Sequence, residues 1–352
     1  LRYDLTVPFA RFVVNNQNQI TFPFKRYQMQ NVWRADRPQK GRFREFYQCD
    51  ADVIGSKSLL NEIELIQLCD DIFTSLNIPN IQILINNRKI LAAMIELMSA
   101  SEYFDQFVII LDKIDKIGVE NVKKELIKLG IDIKKINLLD KFLNIKNIND
   151  ISVLVNQNEL GKKGIEELDF ILKSIDSLEL KSSELKFNIS LARGLDYYTG
   201  SIFEVKSSDV NIGSVAGGGR YDDLTSIFGL KDVSGVGISF GIDRIYLVME
   251  ELGLFPKDID ISSKVLFLNF GELEAKYCFK YLEELRNNNI SSELYPNNNK
   301  IKKQMNYANN KGVQFVVMIG EDEMKSGQLS VKNMSTGDQK EMSISELIKI
   351  IL

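Results

Sequence analysis

The sequence contains no histidine and only three cysteines among its 352 residues. The absence of histidine excludes a Ser-His-Asp or Cys-His catalytic device and any metal site with histidine ligands. Cys49, Cys69 and Cys278 form no Cys-x-x-Cys pair, so neither a zinc site nor a disulfide framework is indicated. Catalysis would have to use arginine, carboxylate, amide or hydroxyl groups, or a metal that arrives with its substrate. A reducing, cytoplasmic setting is expected.

The sequence also lacks long apolar runs and a strong net charge. No apolar run reaches the roughly 18 residues that a membrane helix requires, so no membrane association is expected. The net charge of −4 gives no indication of nucleic-acid binding. The hydrophobic content of 44% and the charged content of 26% are typical of globular proteins. The chain begins Leu-Arg-Tyr-Asp rather than with Met, and we expect a fragment that starts inside a folded element.

Arginine is unevenly distributed along the chain. Eleven of the twelve arginines fall in residues 1–112 and 185–263, and none falls in 113–184. Because arginine binds phosphate and carboxylate with a rigid fork, we expect the two arginine-bearing segments to form one site-carrying body, although a chance distribution is the alternative. The predicted domains are a catalytic core, a helical insertion, the second part of the core and a C-terminal α/β domain: 1–112, 113–184, 185–262 and 263–352.

Residues 24–55 are predicted to form a β-hairpin that organises the site. Two alternating aromatic runs, 24–34 and 42–54, flank a turn that contains Pro38 and Gly41. Gln48, Asp50 and Asp52 occupy every second position, so their side chains share one face of the strand. Arginine and lysine side chains crowd the turn. This arrangement suits a ligand with phosphates at one end and a cation or donor at the other.

Three other stretches carry unusual polar residues. Asp4 and Thr6 are predicted to alternate on a short strand before a helix that starts near Pro8, or else simply to cap that helix. ARGLDYYTG lies between two predicted paired strands, 186–191 and 201–205. The three consecutive glycines of AGGGRYDD predict a close approach of the backbone to another group, in a tight turn under a ligand or a neighbouring strand, with a phosphate cradle as the alternative. Arg220 and Asp222 are expected to pair with each other. Residues 233–251 predict a strand followed by a helix whose first turn carries Arg244.

Together these stretches resemble the class II aminoacyl-tRNA synthetases, and specifically the histidyl-tRNA synthetase family. WRADRPQKGRFREF resembles motif 2 of that class, and GVGISFGIDR resembles motif 3. LARGLDYYTG and AGGGRYDDL resemble the two peptides peculiar to the histidyl family. The C-terminal KKQMNYANNKGVQFVVMIGEDE is similar to its anticodon-binding domain. Motif 1 is missing from the sequence, so the fragment would begin after it.

The resemblance implies an α+β fold, with an antiparallel sheet core flanked by helices, a helical insertion and a C-terminal α/β domain with a mixed sheet. It also implies roles for individual residues. ATP would be bound by Arg34, Arg42, Phe46 and Arg244, and histidine by Asp4, Thr6, Gln48, Asp52, Tyr197 and Tyr198. Arg193 and Arg34 would act in catalysis, and Arg37 and Gln39 would face the acceptor end of tRNA(His).

The implied reaction activates L-histidine with ATP and passes it to tRNA, with Mg²⁺ bridging phosphates and no protein histidine or cysteine holding a metal. A homodimer is expected of the full-length chain. The alternative is a non-catalytic, histidine-sensing paralogue, such as the regulatory subunit of ATP phosphoribosyltransferase, which shares the same core.

Overall fold

The computed structural model describes residues 1–145, 147–155, 157–192, 197–256 and 263–352. They form two compact units, Leu1–Leu254 and Phe255–Leu352. Each unit has its own sheet and its own buried hydrophobic residues. The predicted α+β fold is confirmed, whereas the finer division of the first unit into core and insertion stays a prediction.

The first unit is built on a sheet that has seven strands within the described residues, in the order β1-β2-β7-β6-β5-β3-β4. All neighbouring strands are antiparallel except β3 and β4. The strands are β1 (Phe24–Trp33), β2 (Glu45–Ile54), β3 (Ile81–Asn87), β4 (Ser183–Phe187), β5 (Ser201–Ser207), β6 (Ser214–Tyr221) and β7 (Gly235–Gly241). The predicted hairpin is therefore present as β1 and β2, with its alternation intact.

Helices flank this sheet. Their bounds are α1 (Thr6–Asn15), α2 (Leu60–Ser75), α3 (Arg88–Leu97), α4 (Phe104–Leu111), α5 (Ile114–Ile117), α6 (Val119–Lys128), α7 (Ile133–Leu143), α8 (Ile148–Val155), α9 (Glu159–Asp176) and α10 (Ile242–Glu251). Apolar residues of α2–α4 and α6–α9 join those of β3 and β5–β7 in one continuous hydrophobic core. The region predicted as an insertion thus shares its core with the sheet.

Three local predictions are wrong. Leu5 has helical backbone angles and α1 begins at Thr6, so Asp4 and Thr6 do not lie on a strand. Strands β4 and β5 do not pair with each other, because β3 lies between them and binds both. The three glycines lie in the middle of β6 rather than in a tight turn. At Gly218 an added Cβ would lie 2.0 Å from the carbonyl oxygen of Gly237, so close approach of the two backbones explains the glycine.

Arg220 has a structural role on the opposite side of β6 from the site described below. Its NH1 atom lies 3.7 Å from Oδ1 of Asp222, so the predicted pair is present but long. Its main partner is the buried Glu62 of α2, whose two carboxylate oxygens accept hydrogen bonds of 2.6 Å from its Nε and NH2 groups. This two-pronged ion pair joins α2 to the sheet.

The second unit carries a mixed sheet that has five strands within the described residues, in the order β12-β11-β10-β8-β9. Strand β8 is parallel to β9 and β10, and the other pairs are antiparallel. The elements are β8 (Val265–Phe267), α11 (Glu272–Asn287), β9 (Ser292–Leu294), α12 (Ile301–Asn310), β10 (Phe315–Met318), α13 (Glu321–Ser326), β11 (Leu329–Asn333), β12 (Gln339–Met342) and α14 (Ile344–Ile351). The mixed sheet predicted for the C-terminal α/β domain is therefore present.

Candidate active site

One face of the large sheet collects the polar residues of the hairpin. Gln48, Asp50 and Asp52 all point to this face from β2 and are buried. Register places Arg26 of β1 on one side of Asp52 and Gly237 of β7 on the other. A glycine therefore stands beside Asp52 on the neighbouring strand.

Asp52 is fixed at the buried end of this face. Its Oδ2 atom lies 2.9 Å from the NH2 atom of Arg26, and its Oδ1 atom accepts a hydrogen bond of 2.7 Å from the Tyr221 hydroxyl. Burial nevertheless raises the pKa of the Asp52 carboxyl, although the guanidinium of Arg26 and the Tyr221 hydroxyl oppose that shift. Asp52 is thus a rigid, oriented acceptor.

Glycines create the space that Asp52 and Tyr198 occupy. A Cβ on Gly237 would lie 2.0 Å from Oδ1 of Asp52. A Cβ on Gly219 would lie 2.9 Å from Cδ1 of Tyr198. Tyr197 packs edge-on against Tyr198, with 5.0 Å between the ring centroids. The glycines of β6 and β7 therefore serve the site, and the two predicted tyrosines do lie beside Asp52.

The N-terminal segment closes one side of the same face. The carbonyl oxygen of Leu5 accepts a hydrogen bond of 3.0 Å from Arg26, and the Thr6 hydroxyl donates to Asp50 Oδ2 at 3.5 Å. Asp4 is buried, and burial raises its pKa. The structure thus brings Asp4 and Thr6 to the strand that carries Gln48 and Asp52.

Arg34 connects this pocket to the open end of the hairpin. Its NH2 group donates to Oε1 of Gln48 at 3.4 Å. Its guanidinium carbon lies 4.5 Å from the ring centroid of Tyr3 and 5.1 Å from that of Phe46. Gln48 also donates to the Ser239 hydroxyl of β7. The guanidinium of Arg34 therefore lies next to the ring of Phe46 and to the side-chain amide of Gln48, at the edge of the acidic pocket formed by Asp4, Asp50 and Asp52.

The other predicted ATP-binding arginines, Arg42 and Arg244, lie at the hairpin loop: Arg42 belongs to it, and Arg244 contacts it from α10. Arg42 is paired with Asp36 at 2.9 Å, and its backbone forms a tight turn with Gln39. Arg244 of α10 donates to the carbonyl oxygens of Gly41, at 2.6 Å, and Ser214, at 2.7 Å. Gly41 has a φ of +69°, which favours glycine at this turn. Arg244 therefore contacts the hairpin loop, and its role in ATP binding stays a prediction.

The two predicted tRNA contacts, Arg37 and Gln39, are exposed on the same loop. Arg193 lies outside the described residues. Two site residues, Arg26 and Tyr221, were not predicted, and Asp50 was predicted to lie on this face but was given no role in binding. Asp50 alternates with Gln48 and Asp52 in the sequence, and that spacing was the available signal.

Within the described ranges, no group of three or more Cys, Asp or Glu residues is arranged to hold a metal ion. Mg²⁺ needs few protein ligands, because it keeps several waters and binds one or two carboxylates together with substrate phosphates. The arginine-rich end of this site is suited to a triphosphate that carries its own Mg²⁺.

None of the helices in the described ranges combines the length and apolar character needed to cross a membrane.

Comparison with known proteins identifies the family. The family described as "Histidyl-tRNA synthetase" matches residues 1–245, and the one described as "Anticodon binding domain" matches residues 264–352. The chain belongs to the histidyl-tRNA synthetase family. Its class is therefore that of the class II aminoacyl-tRNA synthetases, and the resemblance seen in the sequence motifs is confirmed.

Curated relatives of this histidyl-tRNA synthetase family member match its whole length. Proteins named histidine–tRNA ligase from Flavobacterium johnsoniae and Phocaeicola vulgatus are 52% and 50% identical to it. Both alignments cover 100% of this chain, and they cover 75% and 78% of the two relatives.

Solved structures agree with this assignment. A crystal structure of histidyl-tRNA synthetase from Nostoc sp. PCC 7120 is 29% identical, has a TM-score of 0.84, and is matched over 100% of this chain and 84% of that chain. A structure described as an ATP phosphoribosyltransferase regulatory subunit/histidyl-tRNA synthetase from Bacillus halodurans is 22% identical. Its TM-score is 0.71, with 90% of this chain and 79% of that chain covered, and the likeness shows the fold alone.

Proposed function

We propose that this chain activates L-histidine with ATP to histidyl-adenylate and transfers the histidyl group to tRNA(His). The curated ligases at about 50% identity support this function and do not favour the regulatory alternative. The structural observation that carries the proposal is the position of Arg34. Its guanidinium contacts Gln48 of the acidic pocket and lies over the Phe46 ring, so it joins an amino-acid end to a nucleotide end.

The acidic pocket provides complementary groups for histidine. We assign Asp52 and Tyr198 to the imidazole, because a rigid buried carboxylate and a phenol hydroxyl complement its two ring nitrogens. Asp4, Thr6 and Gln48 would hold the α-ammonium group from the other side. In this arrangement histidine lies across β2 with its carboxylate towards Arg34.

The nucleotide end would bind ATP through arginine and an aromatic ring. Phe46 and the guanidinium of Arg244 would hold adenine, and Arg42 with Arg244 would contact the terminal phosphates. Mg²⁺ bound to the triphosphate would neutralise part of its charge. Arg42 would have to exchange Asp36 for phosphate, which is feasible because both side chains are partly exposed to solvent.

The first step needs no general base. The carboxylate of histidine is already ionised at neutral pH, and one of its oxygens attacks the α-phosphorus as the bond to pyrophosphate breaks. Arg34, and Arg193 by resemblance, would stabilise the charge that develops on the α-phosphate. In the second step a hydroxyl of the terminal adenosine of tRNA replaces AMP, with Arg37 and Gln39 proposed to face the acceptor end.

We further propose a homodimer and a cytoplasmic location. The outer face of the hairpin, opposite the site, exposes large side chains at Tyr27, Met29 and Tyr47. Strand β1 is also an edge strand, and an exposed edge with apolar side chains favours association with another chain.

Pyrophosphate exchange that depends on both histidine and ATP tests the function. We expect exchange with histidine and none with other amino acids, and absence of histidine-dependent exchange would contradict the proposal. Arg193→Ala should lower the exchange rate more than tenfold while the circular dichroism spectrum is unchanged. An unaltered rate would refute the role given to Arg193.

A further inference from the structure

Asp50 is a buried carboxylate to which none of the assigned roles applies. It lies on β2 between Gln48 and Asp52, and register places Gln28 and Ser239 beside it. Only 1% of its surface is exposed. Among the described residues its Oδ1 atom has no hydrogen-bond partner, and its Oδ2 atom accepts the 3.5 Å contact from Thr6.

The environment of Asp50 is unfavourable for a charge. Burial, and then the nearby Asp52, raise the pKa of Asp50 to about 7. Asp70 on α2 provides a contrast, because its carboxylate accepts hydrogen bonds of 2.7–2.9 Å from the backbone N–H groups of Lys181, Ser182 and Ser183. Asp70 holds the fold together, whereas Asp50 has one long contact from Thr6, the Ser239 hydroxyl beside it on β7, and an Oδ1 atom without a hydrogen-bond partner among the described residues. A buried polar atom without a partner is costly unless a ligand completes it.

We propose that Asp50 is a further substrate-binding residue, which acts with Thr6 to hold the α-ammonium group of histidine. The Thr6 hydroxyl donates its proton to Asp50, which leaves the lone pairs of that hydroxyl free to accept from the ammonium. The carboxylate supplies the opposite charge at short range. This inference rests on the proposed function and adds a specificity-determining group to the same pocket.

The charge state of Asp50 then makes histidine binding depend on pH. The charged and titratable groups around it are Asp52 on β2, Asp4 before α1, Arg26 on β1 and the adjacent Tyr198. A bound ammonium favours the ionised form of Asp50 and so lowers its pKa. Binding therefore strengthens as the pH rises through about 7, and weakens when Asp50 becomes protonated below that value.

Asp50→Asn tests the assignment, because asparagine has nearly the same shape and no charge. At pH 8 we expect the KM for histidine in pyrophosphate exchange to rise about ten- to a hundredfold, the effect of losing one hydrogen bond to a charged group. The kcat should stay within about threefold. Between pH 8 and pH 6, the KM should change less in D50N than in the unaltered protein. An unchanged KM at pH 8 would overturn the proposal.

Two competitive inhibitors separate the ammonium from the ring. Histidinol keeps the ammonium and the imidazole, and imidazolepropionate keeps the imidazole without the ammonium. D50N should weaken inhibition by histidinol about as much as it raises the histidine KM, and should leave inhibition by imidazolepropionate unchanged. Equal weakening of both inhibitors would place Asp50 at the ring and refute the assignment.

The Tm of D50N separates a binding role from a structural one, and Asp70→Asn is the matched control. The folded-state pKa of Asp50 is raised, so ionising it costs stability as the pH rises towards 7, and D50N should have a higher Tm at pH 8. Asp70→Asn should have a lower Tm and an unchanged KM. A D50N protein that is less stable at pH 8 would show a structural role and contradict the proposal. Failure of the unaltered protein to exchange would instead refute the function itself.

Discussion

Replacing Arg26 by methionine tests whether Asp52 is held as a buried, ionised acceptor. The side chains of Arg26 and Asp52 are only 9% and 2% exposed, and their charged atoms lie 2.9 Å apart. Removing one partner of a buried ion pair costs about 3–5 kcal/mol, because the other charge is left without compensation. Methionine keeps most of the aliphatic volume of arginine. We therefore expect R26M to lose about 3–5 kcal/mol of unfolding free energy at pH 8.

The loss should depend on pH in a defined direction. Without the guanidinium, the pKa of the Asp52 carboxyl rises further above the value of about 3.9 that it has in the unfolded chain. A group whose folded-state pKa is raised contributes stability at low pH and loses it as the pH rises through that pKa. The deficit of R26M should therefore be smaller at pH 5 than at pH 8. The double variant R26M/D52N should recover most of the loss at pH 8.

Urea unfolding at the two pH values measures both effects. Lys25→Met is a matched control, because Lys25 directly precedes Arg26 on β1 and its side chain lies on the opposite face. There it pairs with Glu64, and both side chains are about half exposed. Such surface pairs contribute about 0–1 kcal/mol. A loss below about 1 kcal/mol in R26M would show that solvent screens the Arg26–Asp52 pair and would refute the reasoning.

Two further changes probe the two ends of the site. Gly237→Ala would bring a methyl group to within 2.0 Å of the Asp52 carboxylate, so the histidine KM should rise more than tenfold, and an unchanged KM would contradict the packing argument. Phe46→Leu should raise the KM for ATP about five- to a hundredfold, the usual effect of losing base stacking, and leave the histidine KM unaltered. An equal rise in both KM values would count against a specific role of Phe46 in adenine binding.

Local patterns predicted the site better than they predicted the sheet around it. The alternation of β1 and β2 places Gln48 and Asp52 on one face, because side chains alternate along any strand. Pairing of β3 with both β4 and β5 could not be seen, since it joins segments separated by about a hundred residues and depends on the whole core. The glycines of β6 suggested a turn for the same reason: the backbone of β7 that excludes a side chain is distant in the sequence.

The residues that support the predicted site residues could not be predicted from the sequence either. Arg26 lies on the same hairpin as Asp52, but only the register of the two strands shows that they are opposite one another. Tyr221 reaches Asp52 from β6. Family resemblance named the residues that we expect to contact ligand, whereas these supporting contacts are seen only in the cross-strand geometry.

The aspartates of the first unit whose pKa is shifted fall into two classes, according to the direction of that shift. Asp70 and Asp222 accept several hydrogen bonds from neighbouring groups, and these lower their pKa values. They contribute stability above the unfolded-state pKa, and it is lost as the pH falls. Asp4, Asp50 and Asp52 share the site face and have raised pKa values, with burial as the largest cause.

The second class lowers the stability of the folded protein as the pH rises. Apart from the Arg26–Asp52 ion pair, ionisation of these carboxyls gives the fold no benefit, so selection for folding alone would not favour three of them on one face. A positively charged ligand reverses the balance, because it supplies the charge that the pocket lacks. The histidine ammonium is such a ligand, and binding it should raise the Tm more at pH 8, above the pKa of about 7 of Asp50, than at pH 6. An equal increase at both pH values would show that the carboxylates of the site face do not bind the cationic group.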